Sequence, residues 1–230
     1  MYTLHIGNKN YSSWSLRPWV LLKVLGIPFT EKQERFDDGG SWSKFRVFSP
    51  SGLVPTLIDG ETQVWDSLAI AEYVAEAHPQ VWPKDKAARA FARSAAAEMH
   101  SGFSTLRNVC SMSVGIRVTL HEIIPALQKN IDRIGELWSE GLHRFGGPFL
   151  AGNTFTAADA FYCPVAFRVQ TYGIKLPQAA DDYARRLLAL PAMKEWYDAA
   201  LMETFREPSH EDEIRTVGTW TADYRAKPAA

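Results

Sequence analysis

Reactive sulfur is scarce in this chain of 230 residues, which has 2 cysteines, Cys110 and Cys163. They lie far apart and show no metal-ligand spacing. That pattern excludes a disulfide framework and points to buried or free thiols in a reducing compartment. An excess of charge is missing as well. The 25 Lys and Arg against 26 Asp and Glu leave a formal net charge of −1, so no global field draws in nucleic acid or an anionic membrane. No apolar run approaches the roughly 18 residues of a membrane span. The opening stretch, Met1 to Gly7, lacks the charged start and long apolar core of a secretory leader, so a cytoplasmic location is expected. The six histidines, His5, His78, His100, His121, His143 and His210, show no metal-pair spacing. No Gly-x-Ser-x-Gly elbow surrounds Ser12 or Ser13, which argues against a serine hydrolase, and no glycine-rich phosphate loop is present.

What is present is ordinary globular material, 46% hydrophobic and 22% charged, with 8 Trp and 12 Phe to fill a core. Tyr2, Leu4 and Ile6 alternate with Thr3 and His5, the period of a strand. A polar loop, Gly7 to Tyr11, leads into Ser12-Ser13-Trp14-Ser15-Leu16-Arg17-Pro18-Trp19 and a helix with Leu21, Val24 and Leu25 on one face. A serine at 12, 13 or 15 suits the N-cap, Pro18 suits a first turn, and Gly26 and Pro28 stop the helix. A second strand is expected within Phe29–Phe36, then an irregular loop with a short helix over 37–51. Val54 to Ile58 and Gln63 to Trp65 read as a hairpin about Asp59-Gly60. Asp66-Ser67 then opens a helix carrying Leu68, Ala71, Tyr73 and Val74. Residues 1–78 thus form a small α/β unit. A proline-bearing linker covers 79–85. Beyond it strand signals vanish and 86–205 reads as all-helical, with helices over Lys86–Met112, Leu120–His143, from Thr156 through Ala166, near Asp181–Leu190 and over Pro191–Phe205. The Thr156-Ala157-Ala158-Asp159 run has the form of a capping box. Residues 206–230 form a tail to which the sequence assigns no role.

Three features carry chemistry. A helix N-terminus has unpaired N–H groups and a partial positive charge, so the serine cluster stands where an anion is stabilised. A serine hydroxyl there can donate to a thiolate and lower a thiol pKa from about 8.5 toward neutrality; the same serines also suit plain capping. Val54-Pro55 is either an ordinary edge-strand proline or a cis bond that leaves the Val54 N–H and C=O free for a peptide-like ligand. Asp66-Ser67 is either an N-cap or a seat for a paired ammonium and carboxylate.

In order and spacing, Ser12 to Arg17, Val54-Pro55-Thr56-Leu57 and Asp66-Ser67, with the Thr156–Asp159 box, resemble the cytosolic glutathione transferases over nearly the whole chain. The serine stretch looks most like the zeta class, which has Ser-Ser-Cys-Ser-x-Arg there. The resemblance implies a thioredoxin-like first domain with a cis proline, an all-α second domain forming the electrophile pocket, a homodimer, and glutathione as co-substrate. It implies Ser12 as the activating hydroxyl with Ser13 as second choice, Asp66 and Ser67 for the γ-glutamyl end, Val54 and Pro55 for the cysteinyl backbone, and a structural Asp159. Arg17 orients the serine loop, binds a substrate carboxylate or forms a surface salt bridge. Trp14 and Phe103 line the pocket for a hydrophobic electrophile or pack in the core. Trp14 replaces the zeta-class cysteine, which puts maleylacetoacetate isomerisation in question, and Leu53 stands where many relatives carry Gln or Lys. With no cysteine near Ser12, thiol–disulfide exchange lacks its nucleophile. Three functions are thus in view: a transferase using the glutathione thiolate, a zeta-like cis–trans isomerase, and a non-catalytic glutathione-binding or interaction protein.

Overall fold

The computed structural model describes residues 1–37 and 40–227. Asp38 and Gly39, within the expected irregular loop, and the last three residues of the tail lie outside that set. Strand β1 (Tyr2–Ile6) turns Leu4 and Ile6 inward, where both are fully buried, as their alternation requires. It pairs in parallel with β2 (Phe29–Gln33) through the crossover helix α1 (Ser13–Val24) and antiparallel with β3 (Thr56–Asp59). Asp59 and Thr62 close the hairpin to β4 (Thr62–Val64), with Gly60 at φ +59° supplying the left-handed turn. The sheet order is β2-β1-β3-β4, a thioredoxin-like arrangement. A four-residue α2 (Trp42–Phe45) lies in the long loop, and α3 (Ser67–Ala77) follows β4.

Pro18 lies in the second turn of α1, not the first. The helix begins at Ser13 because the preceding loop already curls, with the Ser12 amide donating to the Asn8 carbonyl at 2.9 Å.

The second domain is helical: α4 (Lys86–Ser101), α5 (Ser104–Val109), α6 (Pro125–Phe145), α7 (Ala157–Tyr172), α8 (Gln178–Leu188) and α9 (Pro191–Leu201). Helix α7 is buried almost all round and packs on α1, α4 and α8, so it is the axis of the molecule. The Trp19 and Trp196 rings meet edge to face at 5.0 Å between α1 and α9. Both cysteines are buried and unpaired; burial pushes Cys110 up to about 12, with Arg168 pulling the other way. No helix among the described residues is long and apolar enough to cross a membrane.

Three expectations need correction. The helix read over 86–112 breaks at Gly102, where a Cβ would meet the Glu98 carbonyl oxygen at 2.6 Å, and at Phe103, which takes φ +55°. Strand signals do not vanish after the linker: β5 (Ile116–Leu120) precedes α6, which starts at Pro125 instead of Leu120. Nor is the segment after 205 a loose tail. It forms α10 (Pro208–Val217) and β6 (Gly218–Asp223), and β6 pairs antiparallel with β5.

Asp159 ties the start of α7 to its surroundings. Its carboxylate accepts from the amides of Leu150 and Thr156, both at 2.9 Å, and from the Tyr183 hydroxyl at 2.7 Å. Asp159→Ala would leave these donors buried and unpaired, so it should lower the unfolding free energy by about 3 kcal/mol or more. Urea denaturation measures this, and a loss under about 1 kcal/mol would contradict the assignment.

Candidate functional site

The loop Gly7 to Ser12 joins β1 to α1 and is buried along its length. Its polar backbone needs partners, and the second domain supplies them. The Glu203 carboxylate, just beyond α9, accepts the Lys9 amide at 2.6 Å, and the Asn10 amide and side-chain amide at 3.1 Å each. The Trp196 indole N–H donates to the Lys9 carbonyl at 2.9 Å. Tyr11 donates its hydroxyl to Glu211 on α10 at 2.7 Å, and Arg225 pairs with the same carboxylate. Burial and the Glu211 carboxylate hold the Tyr11 hydroxyl far above its ordinary pKa, so it remains a donor.

Ser12 occupies the N-cap position of α1 without capping it through its side chain. Its hydroxyl donates instead to Ser15 Oγ at 2.7 Å, and Ser15 Oγ accepts the Gly7 amide at 3.0 Å. A chain of two hydroxyls therefore ends at the α1 N-terminus. Hydroxyl hydrogens rotate, so Ser15 can donate to Ser12 whenever Ser12 donates outward. Ser12 and Ser13 open onto a cavity of about 360 Å³, together with Trp14, Val54, Arg107 and His210.

Of the residues expected at the site, this cavity gathers Ser12, Ser13, Trp14 and Val54. The Val54-Pro55 bond is cis, and among the described residues the Val54 N–H and C=O form no hydrogen bond within the protein. Pro55 is buried behind it. Asp66 caps α3 through the Leu68 amide at 3.0 Å and keeps a half-exposed carboxylate, with His100 Nε2 at 3.3 Å. The His100 ring abuts Trp14 at 5.2 Å, which links Asp66 to the cavity edge. Ser67 is buried and accepts from Arg17 at 3.4 Å.

Two pocket assignments change. Arg17 does not line the cavity and forms no surface salt bridge: it is 1% exposed and lies under the Trp14 ring at 4.0 Å, against Phe161 at 5.0 Å. Phe103 is absent from the cavity wall because the left-handed turn between α4 and α5 sets it in the hydrophobic core.

The second domain contributes residues that the sequence did not single out. Arg107 and Arg168 line the cavity, and none of Arg17, Arg107 and Arg168 has a carboxylate in ion-pair contact among the described residues. Burial, then the nearby Arg168 and Arg107, brings Arg17 down to about 9; burial, with Arg107, brings Arg168 down to about 10. Arg168 donates to the Cys110 carbonyl at 2.7 Å, and Arg17 Nε is buried without a partner. A lone arginine inside an apolar helix was a signal available in the sequence. His210, by contrast, reaches the cavity only because α10 folds back.

Residues 11–77 match the family model described as glutathione S-transferase, N-terminal domain, and residues 121–199 match glutathione S-transferase, C-terminal domain. A zeta-class glutathione S-transferase of Euphorbia esula is 29% identical over 66% of this chain and 70% of its own. A maleylacetoacetate isomerase of Rattus norvegicus is 28% identical over 89% and 93%. Among solved structures, a glutathione transferase homolog from Burkholderia with bound glutathione superposes with a TM-score of 0.63 at 24% identity, over 86% of this chain and 97% of that one. At that identity it supports the fold.

Glu203 is the principal tie between the serine loop and the second domain. Glu203→Ala should speed amide hydrogen exchange at Lys9 and Asn10 by about tenfold or more, since charge-assisted hydrogen bonds contribute roughly 1.5–3 kcal/mol each. Exchange followed by NMR checks this, and unchanged rates would show the loop to be held by packing alone.

Proposed function

Because the chain belongs to the glutathione S-transferase superfamily, we propose that it binds glutathione at the α1 N-terminus and activates the thiol for attack on a small electrophile. The observation that carries this reading is the Gly7–Ser15–Ser12 chain, which ends at a helix N-terminus and opens onto a cavity beside Val54. With a thiolate in place, Ser15 donates to Ser12 and Ser12 donates to sulfur. That hydrogen bond and the helix dipole both favour the anion. The unpaired Val54 backbone suits the cysteinyl peptide, and Asp66 with Ser67 suits the γ-glutamyl end. Asp66 offers a half-exposed carboxylate for the ammonium, and the α3 N–H groups, with the buried Ser67 behind them, suit the carboxylate. Catalysis then consists of thiolate stabilisation and proximity. A homodimer remains part of this reading.

One observation favours a second reading. Arg168 is buried and Arg107 half-buried; Arg107 donates to the Met99 and His100 carbonyls at 3.2 Å and Arg168 to the Cys110 carbonyl at 2.7 Å, yet neither meets a carboxylate in the cavity wall. An anionic second substrate would supply the missing charge. Maleylacetoacetate, named in several relatives, carries two carboxylates, so a glutathione-dependent cis–trans isomerase fits this wall despite Trp14 at the zeta-class cysteine position. Glutathione adds to the double bond, rotation follows, and glutathione leaves.

Glutathione titrated near neutral pH should produce ultraviolet thiolate absorbance in the wild type and in Ser13→Ala, and lose most of it in Ser12→Ala. Binding without thiolate in the wild type would favour a non-catalytic binding protein, and an unchanged Ser12→Ala would transfer the role to Ser13. For the second reading, Arg107→Met should raise KM for maleylacetoacetate by about tenfold or more, the scale of a lost charge-assisted contact, with glutathione affinity unchanged. An unaltered KM would remove the support for an anionic substrate.

A further inference from the structure

His210 has no task in the reading above, yet the structure builds around it. Glu207 precedes α10 and caps it, accepting the His210 amide at 2.7 Å and the Ser209 hydroxyl at 2.8 Å. The same carboxylate meets His210 Nδ1 at 2.7 Å. Burial alone would raise the Glu207 pKa, but the His210 amide, the Ser209 hydroxyl and the His210 ring together hold it below its ordinary value. An ionised carboxylate only accepts, so Nδ1 carries the hydrogen of the ring. In a neutral imidazole the lone pair is then on Nε2, and among the described residues Nε2 has no protein partner. A carboxylate that fixes the tautomer of a histidine is a recurring way to hold a base in one orientation.

The position of this base is fixed relative to Ser12. Tyr11, the neighbour of Ser12, donates to Glu211 one residue beyond His210 in α10 and also touches the imidazole, with ring centroids at 5.3 Å. Phe36 stacks on the imidazole at 6.1 Å. His210 thereby lines the same cavity as Ser12 and Ser13. Around the ring, Glu207 and Glu211 belong to its own segment. Tyr11 and Arg225 come from the elements packed on α10, and Arg107 and Arg168 from the remaining cavity wall. Of these, Glu207 alone forms a hydrogen bond to the ring.

We propose that His210 is the proton acceptor of this site, taking at Nε2 the proton of the thiol whose sulfur Ser12 stabilises. The proposal rests on the glutathione reading above. The S–H bond breaks, an N–H bond forms at Nε2, directly or through one water, and the electron pair stays on sulfur. The Glu207 carboxylate balances the imidazolium. When the sulfur pair bonds to the electrophilic carbon, the pair released on the leaving group, or on the adjacent carbon in an addition, collects the proton from Nε2. The neutral ring is restored and nothing else is consumed.

A proton inventory tests this without a known electrophile. Glutathione is titrated into the full chain by calorimetry near neutral pH in two buffers of different ionisation enthalpy, which counts protons released, while ultraviolet absorbance counts thiolate formed. The wild type is expected to form thiolate while releasing well under one proton per site. His210→Gln is expected either to release about one proton per thiolate or to lose the thiolate while still binding. Gln at the third position of α10 suits a helix start, so the fold is preserved, and a wild-type count of one proton per thiolate overturns the proposal whatever the variant does. One proton released per thiolate by the wild type, or equal counts in the two proteins, overturns the role of His210 and leaves the glutathione site standing. Binding without thiolate in the wild type overturns it together with the role of Ser12. No binding at all overturns the reading on which both depend.

Discussion

The serine loop is built by the first domain but satisfied by the second. Residues 7–12 are buried where the chain leaves β1, and a buried backbone must find partners. It finds Glu203 and the Trp196 indole, while the Asn10 side-chain amide donates to the Ala200 carbonyl, all in or just beyond α9. The Lys9 ammonium fills the space between, paired with Glu31 at 2.7 Å and lying over the Trp19 and Trp196 rings. Where Ser12 stands is therefore decided as much by the end of the helical domain as by the strand that precedes it. A displacement of α9 would be felt directly at the serine hydroxyl.

The same dependence runs through the C-terminal segment. Pairing of β6 with β5 sets the register of the chain after α10, and Arg225 then reaches back to Glu211 and Tyr11. Gly218 permits the close approach, since a Cβ there would meet Val118 at 2.5 Å. The ribbon thus holds α10, α10 holds Tyr11, and Tyr11 adjoins Ser12. The segment adds His210 to a cavity wall in which the rest of the helical domain supplies Arg107, Asn108, Ser111 and Arg168.

This arrangement explains which parts were legible in the sequence. The first domain was readable nearly to the residue because its signals are local: alternation in β1, Asp59-Gly60 at the hairpin, Asp66 ahead of α3. Ser12, Val54 and Asp66 could be named for the same reason, since each stands at the junction of a strand with a turn or helix. The β5–β6 ribbon escaped although Ile116 and Val118 alternate with Arg117 and Thr119, because its partner strand lies about a hundred residues away and a lone period-two run of five is weak. Arg17 was misplaced because a charge at an amphipathic boundary reads as exposed. Only the packing of Trp14 and Phe161 over it shows a cation held against aromatic faces. His210 had no local signal, since its chemistry comes from the cap residue Glu207 and from a fold-back that long-range pairing creates.

The two halves of the site therefore differ in how they recognise a ligand. On the proposed reading, the side that would face glutathione is made of backbone groups and helix termini, which depend on where elements begin and tolerate changes of side chain. The other wall of the cavity, which on that reading would face the second substrate, carries Trp14, Arg107, Arg168 and His210, each placed by packing from a different element. A binding surface of the first kind can persist while the second is rebuilt, since loss of one arginine leaves the α1 terminus and the Val54 backbone untouched. In this chain the second wall carries two arginines that meet backbone carbonyls and no carboxylate, and a histidine whose Nδ1 faces Glu207. Arg168, buried against backbone carbonyls alone, keeps a positive charge with no protein counter-charge, which an anionic ligand would supply. On the proposed reading, that uncompensated charge favours a polar second substrate over a purely apolar one.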